Sequence, residues 1–195
     1  MPYNSQTHHR QSIRLKNYDY SQDGMYFITI CTQDKKCIFG NISDSEKGEM
    51  TYRLFRFGEI AKNEWFKTAE IRDNIKLDAF ILMPNHLHGI IVIDNDYQYG
   101  KNTRDDNGRG TVLRAPTAVA VEQFGKPTPN TIPTIIRSYK ATVTKQINIL
   151  RNTPSESVWQ RNYYEHIIRD EKAYNNIREY IECNPYNWEG DELFV

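Results

Sequence analysis

The fold is decided by the stretch Leu77–Ile93, LDAFILMPNHLHGIIVI. Two runs rich in β-branched and apolar residues flank Pro84-Asn85. This dipeptide favours a tight turn, because proline fixes one backbone dihedral and asparagine tolerates the left-handed conformation that a turn can require. The stretch therefore predicts two neighbouring strands joined by a short turn.

The second predicted strand opens with His86 and His88. Side chains alternate between the faces of a strand, so these two imidazoles are expected to point the same way and Leu87 the opposite way. Neutral imidazole is the commonest metal ligand in proteins, and two on one strand face provide half of a small divalent-ion site. The alternative interpretation is a polar sheet face with no metal, and the spacing alone leaves both open.

Composition limits the class of protein. The chain has 195 residues, 26% of them charged, with 25 Lys and Arg balanced by 25 Asp and Glu. No apolar run reaches the roughly 18 residues of a membrane helix, and Met1–Lys16 has no signal-peptide core. We therefore expect a cytoplasmic protein with no membrane partner. Three cysteines without metal-finger spacing are expected to be reduced thiols.

We expect one domain over residues 1–195 with three peripheral segments. Residues 1–24 form a polar, basic arm that contains Arg14 and Lys16. Residues 94–130 collect Gly and Pro among polar residues without any period, which predicts a flexible insertion. Residues 189–195 form an acidic tail. Because the acidic residues gather in such segments, the neutral total is compatible with a basic face for nucleic acid.

The other elements follow from periodicity. The run 25–32 predicts a strand, 37–42 a short strand, and the stretch from Gly58 to about Ile71 an amphipathic helix. A second helix is predicted from about Thr131 to Leu150, and residues 157–160 and 163–169 read as a strand region. Asp170 is the predicted N-cap of a last helix that ends at Pro185. This order predicts an α+β, ferredoxin-like antiparallel sheet with the helices packed on one face.

The last helix adds candidate chemistry. Tyr180 and Asn184 are four residues apart, so they share a helix face. A tyrosine hydroxyl with a pKa near 10 is a poor nucleophile without help, and a bound metal that polarises a phosphate oxygen would supply that help. The Asn184 oxygen is a candidate third ligand beside the histidines. Packing of the Tyr180 ring at a core edge and a helix-end role for Asn184 are the structural alternatives.

The chain resembles the REP-associated tyrosine transposases, within the single-tyrosine HUH transposases. The resemblance rests on several separated motifs in the same order: SIRLK at 12–16 with YDY at 18–20, MPNHLH at 83–88, WQRNYY at 159–164, RDE at 169–171 and YIECNP at 180–185. It extends from about Arg14 to Trp188. No motif of this kind maps onto the insertion 94–130.

This resemblance implies residue roles and a reaction. His86 and His88 would bind a divalent ion, Mg²⁺ or Mn²⁺, Asn184 would assist them, and Tyr180 would be the nucleophile. Family members cut single-stranded DNA near short palindromic hairpins and leave a 5′-phosphotyrosine link and a free 3′-hydroxyl. The expected partner is therefore single-stranded or hairpin DNA, bound by a monomer or a homodimer.

Further side chains are candidates for contact with DNA. Each of them has a structural alternative, as a solvated helix face, a packing residue or part of the sheet. Tyr163 and Tyr164 are in addition rival nucleophiles to Tyr180. The candidates for DNA binding are Arg14, Lys16, Arg137, Lys140, Trp159, Gln160, Arg161, Tyr163, His166 and Arg169.

Two other functions remain open from sequence. The first is a binding module of the same fold that holds hairpin DNA or RNA without cutting it. The second is a relaxase-like HUH nuclease, which shares the metal pair and the tyrosine. The small size of the predicted domain and its lack of a helicase motif favour the transposase.

Overall fold

The computed structural model describes residues 15, 18–44, 50–95 and 128–194. Six strands and three helices are found in these ranges. The strands are β1 (Gly24–Cys31), β2 (Gly40–Asp44), β3 (Met50–Leu54), β4 (Ile75–Leu82), β5 (His86–Ile93) and β6 (Tyr164–Ile168). The helices are α1 (Arg56–Glu70), α2 (Ile132–Arg151) and α3 (Glu171–Cys183), with 3₁₀ turns at Gln33–Lys35 and Asn184–Gly190.

Four strands form the main sheet, in the order β4-β5-β1-β6, and all neighbours are antiparallel. The β4–β5 hairpin is closed by the bond from the Met83 amide to the His86 carbonyl, 2.8 Å long, around Pro84-Asn85. The predicted turn is therefore confirmed. In the β1–β5 pair, Cys31 lies opposite His86 and Thr29 opposite His88. A separate two-stranded sheet consists of β2 and β3.

The main sheet separates two apolar cores. The larger core lies on the side of α1 and α2 and includes Tyr26, Ile28, Leu87 and Ile91. The smaller core lies on the other side and joins the sheet residues Phe27 and Ile90 to Ile181 of α3. Alternation along β1 and β5 produces this division, because neighbouring residues of a strand face opposite sides.

The α+β class and the antiparallel sheet are confirmed. The prediction that the helices share one face holds for α1 and α2 and differs for α3, which packs on the opposite face. The physical reason is that β1 and β5 carry apolar side chains on both faces, so each face buries apolar surface under a helix.

The predicted element boundaries agree with the structure to within a few residues, except that the strand expected at 157–160 is reduced to a single bridge between Trp159 and Thr32. Asp170 caps α3, since its Oδ1 accepts a bond of 2.8 Å from the Ala173 amide. Strand β3 was not predicted, and the short strand expected at 37–42 is found at Gly40–Asp44. Most of the predicted arm and insertion, including Arg14 and Lys16, lies outside the described residues. No helix in the described ranges is long and apolar enough to cross a membrane.

Candidate metal and nucleophile site

The two histidines of β5 lie side by side on the α3 face of the sheet. Their ring centroids are 4.6 Å apart, and both side chains are buried. Leu87, between them, enters the larger core on the other face. The predicted juxtaposition of the imidazoles is thus present, and Leu87 anchors the strand that carries both.

His86 presents one ring nitrogen without a partner. Its Nδ1 lies 2.7 Å from Oδ1 of Asn85, while its Nε2 is buried, makes no hydrogen bond and lies 3.8 Å from Oδ2 of Asp191. Burial lowers the pKa of His86 to about 4, against the opposing effect of the Asp191 carboxylate. The ring is therefore neutral near pH 7, as a metal ligand must be.

His88 lies between two hydroxyl groups. Its Nδ1 is 2.7 Å from Oγ1 of Thr29, and its Nε2 is 3.1 Å from the hydroxyl of Tyr180. The Phe27 ring stacks on the imidazole with a centroid distance of 5.5 Å. Burial, with a smaller contribution from His86, lowers the pKa of His88 to about 2 and keeps this ring neutral as well.

Tyr180 projects from α3 toward the histidines. Its ring centroid is 5.0 Å from that of His88, and 46% of the residue remains exposed. Burial and the negative charge of Asp191 raise the pKa of the phenol. At neutral pH the hydroxyl is thus protonated, reachable from solvent and next to a candidate metal ligand.

Asn184 and Asp191 complete the site. Asn184 is buried, donates from Nδ2 to Oδ2 of Asp191 at 3.0 Å, and leaves its Oδ1 without a partner. The ligand atoms of His86, His88 and Asp191 all lie within 4.8 Å of one another, so this group can hold a metal ion. Asp191 was expected in an acidic tail, but its side chain is 4% exposed and faces His86.

The chemistry of these donors fits a divalent cation. Two neutral imidazoles and a carboxylate are ligands that transition-metal ions accept, and carboxylate and amide oxygens suit Mg²⁺ and Mn²⁺. The unpartnered Nε2 of His86 and Oδ1 of Asn184 support this assignment. Buried polar groups without partners are rare in folded proteins, and a bound ion is one of the standard explanations.

Several predicted DNA contacts have exposed side chains. His166 lies on β6 opposite Phe27, and therefore on the face that also carries the two histidines. Tyr164, the rival nucleophile, shares that face and is largely exposed. The exposed residues among the predicted contacts are Arg137, Arg161, His166 and Arg169.

Other predicted contacts are part of the fold. Trp159 is 5% exposed and packs against Phe39 and Tyr139 in the larger core. The ammonium of Lys140 donates to the carbonyls of residues 160, 161 and 162, and burial lowers its pKa to about 8. Gln160 is half-buried, and Tyr163 packs against the larger core.

Comparison with known proteins gives two sequence relatives and a structural neighbour. An uncharacterized protein of Haemophilus influenzae is 43% identical over 193 residues, which cover 99% of this chain and 97% of that protein. A "Putative REP-associated tyrosine transposase" of the same organism is 26% identical over 174 residues, 88% of this chain and 76% of that protein. No protein-family model matches the chain.

One structural neighbour is a REP-associated tyrosine transposase that was solved bound to a REP hairpin. It covers 90% of this chain and 74% of its own chain with a TM-score of 0.53 and 15% identity, so this likeness concerns the fold. The resemblance to the REP-associated tyrosine transposases is confirmed by these matches. By its 43% identity, the chain belongs to one family with the uncharacterized Haemophilus influenzae protein.

Proposed function

We propose that this protein is a single-stranded DNA transposase and endonuclease that cuts and rejoins DNA beside short palindromic hairpins. The observation that carries the proposal is the Tyr180 hydroxyl, exposed and 3.1 Å from Nε2 of His88. A nucleophile next to two neutral imidazoles and a carboxylate is an arrangement that suits metal-assisted attack on a phosphodiester.

The proposed reaction exchanges one phosphodiester for another. The oxygen of Tyr180 attacks the scissile phosphorus and loses its proton, while the bond from phosphorus to the 3′ oxygen breaks. That 3′ oxygen gains a proton and leaves as a free hydroxyl, and the 5′ phosphate stays joined to Tyr180. Attack by a DNA 3′-hydroxyl on this link rejoins the strand and restores the tyrosine, so no ATP is needed.

His86, His88 and Asp191 would hold the divalent ion, Mg²⁺ or Mn²⁺, with Oδ1 of Asn184 as a further candidate ligand. When bound, such an ion polarises a phosphate oxygen and makes the phosphorus more electrophilic. The chain's own contribution is positional. Burial keeps both imidazoles neutral, and α3 directs Tyr180 toward the His88 ring.

The proposed DNA partner would be held by exposed side chains. Arg161 and Arg169 can pair with phosphates, and the exposed ring of Tyr164 offers a surface on which an unpaired base can stack. The similarity to a transposase solved with a REP hairpin supports a hairpin as ligand. We further propose that residues 1–195 act as one domain in the cytoplasm, as a monomer or a homodimer.

The test is covalent capture. The protein is mixed with end-labelled single-stranded hairpin DNA carrying varied flanks, with Mg²⁺, Mn²⁺ or a chelator, and run on a denaturing gel. We expect a protein–DNA adduct that requires a divalent ion and is lost in Tyr180→Phe and His86→Ala. The matched control is Tyr164→Phe, a tyrosine on the same face, which should retain the adduct.

The competing function is a binding module that grips hairpins without cutting. The hydrogen bond between Tyr180 and His88 also fits a purely structural tyrosine, so this alternative has a basis in the same geometry. Hairpin binding without an adduct under any metal would support the module. An adduct that persists in Tyr180→Phe and disappears in Tyr164→Phe or Tyr163→Phe would move the nucleophile.

A further inference from the structure

Asn85 makes more contacts than a turn residue needs. Its side chain is buried, at 1% exposure, and its Oδ1 lies 2.7 Å from Nδ1 of His86. Its Nδ2 donates to the carbonyl of Leu193 at 2.8 Å and to the carbonyl of Lys35 at 3.2 Å. The amide thus joins β5, the loop after β1 and the segment after α3.

The partners of Nδ2 fix the orientation of the amide. A backbone carbonyl only accepts hydrogen bonds, so both contacts of Nδ2 require a donor at that position. The amide nitrogen must therefore face Leu193 and Lys35, and the amide oxygen must face His86. Oxygen and nitrogen of an asparagine are commonly ambiguous, and the two carbonyls remove that ambiguity here.

The orientation of the amide decides the protonation of the neighbouring ring. Because Oδ1 of Asn85 only accepts, Nδ1 of His86 must donate and therefore carries the proton. In the neutral ring the lone pair is then on Nε2. That nitrogen is the buried, unpartnered atom that lies 3.8 Å from Asp191.

We infer that Asn85 is a positioning residue that holds His86 in the Nδ1–H tautomer and so directs the Nε2 lone pair into the metal site. The inference rests on the proposed function only in its reference to a metal. Partners of this kind orient a ligating imidazole and set its tautomer in known metal sites.

The same amide also positions a second ligand. Its bond to the Leu193 carbonyl fastens the segment that contains Asp191, whose Oδ1 accepts from the Leu193 amide at 2.6 Å. His88 has no such fixed partner, since the hydroxyls of Thr29 and Tyr180 can each donate or accept. Asn85 therefore fixes both the orientation of the His86 ring and the position of the segment that contains Asp191.

The first readout is the tautomer itself, measured without metal by long-range ¹H–¹⁵N NMR on protein with ¹⁵N-labelled histidine. We expect wild-type His86 to show a proton on Nδ1. In Asn85→Ala we expect the proton to move toward Nε2, because the Asp191 carboxylate, 3.8 Å from that nitrogen, then remains as an acceptor beside the ring.

The second readout is the affinity for Mn²⁺, measured by isothermal titration calorimetry in the absence of DNA. Loss of a partner that orients a ligand typically costs about 10- to 100-fold in metal affinity, and we expect Asn85→Ala to fall in that range. The matched control is Asn148→Ala, which removes another buried amide at the end of α2. It should bind Mn²⁺ as tightly as wild type.

The outcomes separate the two proposals. A proton on Nε2 of wild-type His86 would overturn the inference without any variant. The inference would also be overturned if Asn85→Ala had the same His86 tautomer and the same Mn²⁺ affinity as Asn148→Ala. If Asn85→Ala fails to fold, the wild-type tautomer still decides. Failure of wild type to bind a divalent ion would contradict the proposed metal site, whereas the NMR result would still test the role of Asn85.

Discussion

The His86-Leu87-His88 triplet shows how one strand serves both packing and chemistry. Leu87 is fixed in the larger core, so the two imidazoles are presented together on the other face. Their burial disfavours the charged form of each ring. Because the folded protein resists protonation of these rings, its free energy of unfolding should depend on pH in acid.

We expect the free energy of unfolding, measured in chelator, to decrease as the pH falls below about 6.5. The pKa of His88 is lowered in the folded state, so the unfolded chain binds more protons below that pH. The contribution of His88 to the free energy of unfolding is complete above the pKa of histidine in the unfolded chain. Below that pH the contribution decreases by about 1.4 kcal/mol per pH unit. Urea denaturation at several pH values measures the slope.

Two variants test the assignment of this slope. His88→Gln should make the stability less dependent on pH, because the buried ring that resists protonation is gone. His166→Gln changes an exposed histidine on the same face and should keep the wild-type slope. An unchanged slope in His88→Gln would contradict the prediction.

The site was predictable from sequence where its geometry is local. The period of a strand placed His86 beside His88, and the period of a helix placed Tyr180 and Asn184 on one face. Asp191 was not predictable, because its approach to His86 depends on the 3₁₀ turn Asn184–Gly190, which folds the chain back to β5. The role of Asn85 was concealed for the same reason, since two of its partners are distant in sequence.

At the scale of elements, α3 is the helix with the fewest buried residues. Ile181 is its only buried residue, whereas α2 buries eight. A polar bond adds to its attachment, since the hydroxyl of Tyr174 donates to Oδ2 of Asp78 on β4 at 2.6 Å. The helix that carries the candidate nucleophile is therefore held by a small apolar cluster and a bond to the edge of the sheet.

We expect Tyr174→Phe to loosen α3 while leaving the main sheet intact. Loss of a hydrogen bond to a charged acceptor at a partly exposed site should cost about 1 kcal/mol. Hydrogen exchange is the measurement: amides of α3 should exchange faster, and those of β1 and β5 should not change. Tyr186→Phe removes an exposed hydroxyl nearby and serves as the control. Equal exchange in both variants would show that the Asp78 bond does not hold α3.

Sequence predicted which elements exist better than where they pack. The apolar periods of α1 and α2 gave their extent and their buried faces. The side of the sheet that α3 covers was not predictable from its own period, because an amphipathic helix fits either face of a sheet that is apolar on both. Strand β3 is short and pairs only with β2, so it lacks the buried pattern that identified β1 and β5.

At the scale of the whole molecule, the larger core depends on a close contact between Gly89 of β5 and Trp65 of α1. Gly89, next to His88, has no side chain, and the indole of Trp65 occupies the space beside it. A methyl group at position 89 would lie 2.5 Å from Cζ2 of Trp65, which is too close for two carbons. The glycine is therefore required by close approach of the indole and not by its backbone conformation.

We expect Gly89→Ala to destabilise the protein by about 1–3 kcal/mol, the usual cost of overpacking a core. Trp65 is fully buried and cannot move aside without displacing its neighbours, Phe80 and Tyr139. The control is Gly190→Ala, where an added methyl group meets no atom within 4 Å. Urea denaturation of both variants measures the difference, and equal stability would contradict the packing argument.

The division of the molecule by its sheet also has an evolutionary consequence. Residues that face α1 and α2 form the larger core and maintain the scaffold. Exposed neighbours of the site, such as Tyr164 and His166, do not pack in that core. Substitution of the exposed residues on the α3 face can therefore change the specificity of the proposed DNA-binding site while the scaffold persists. A library of variants confined to the exposed residues of that face, outside its apolar cluster, would explore new specificities at little cost in folding.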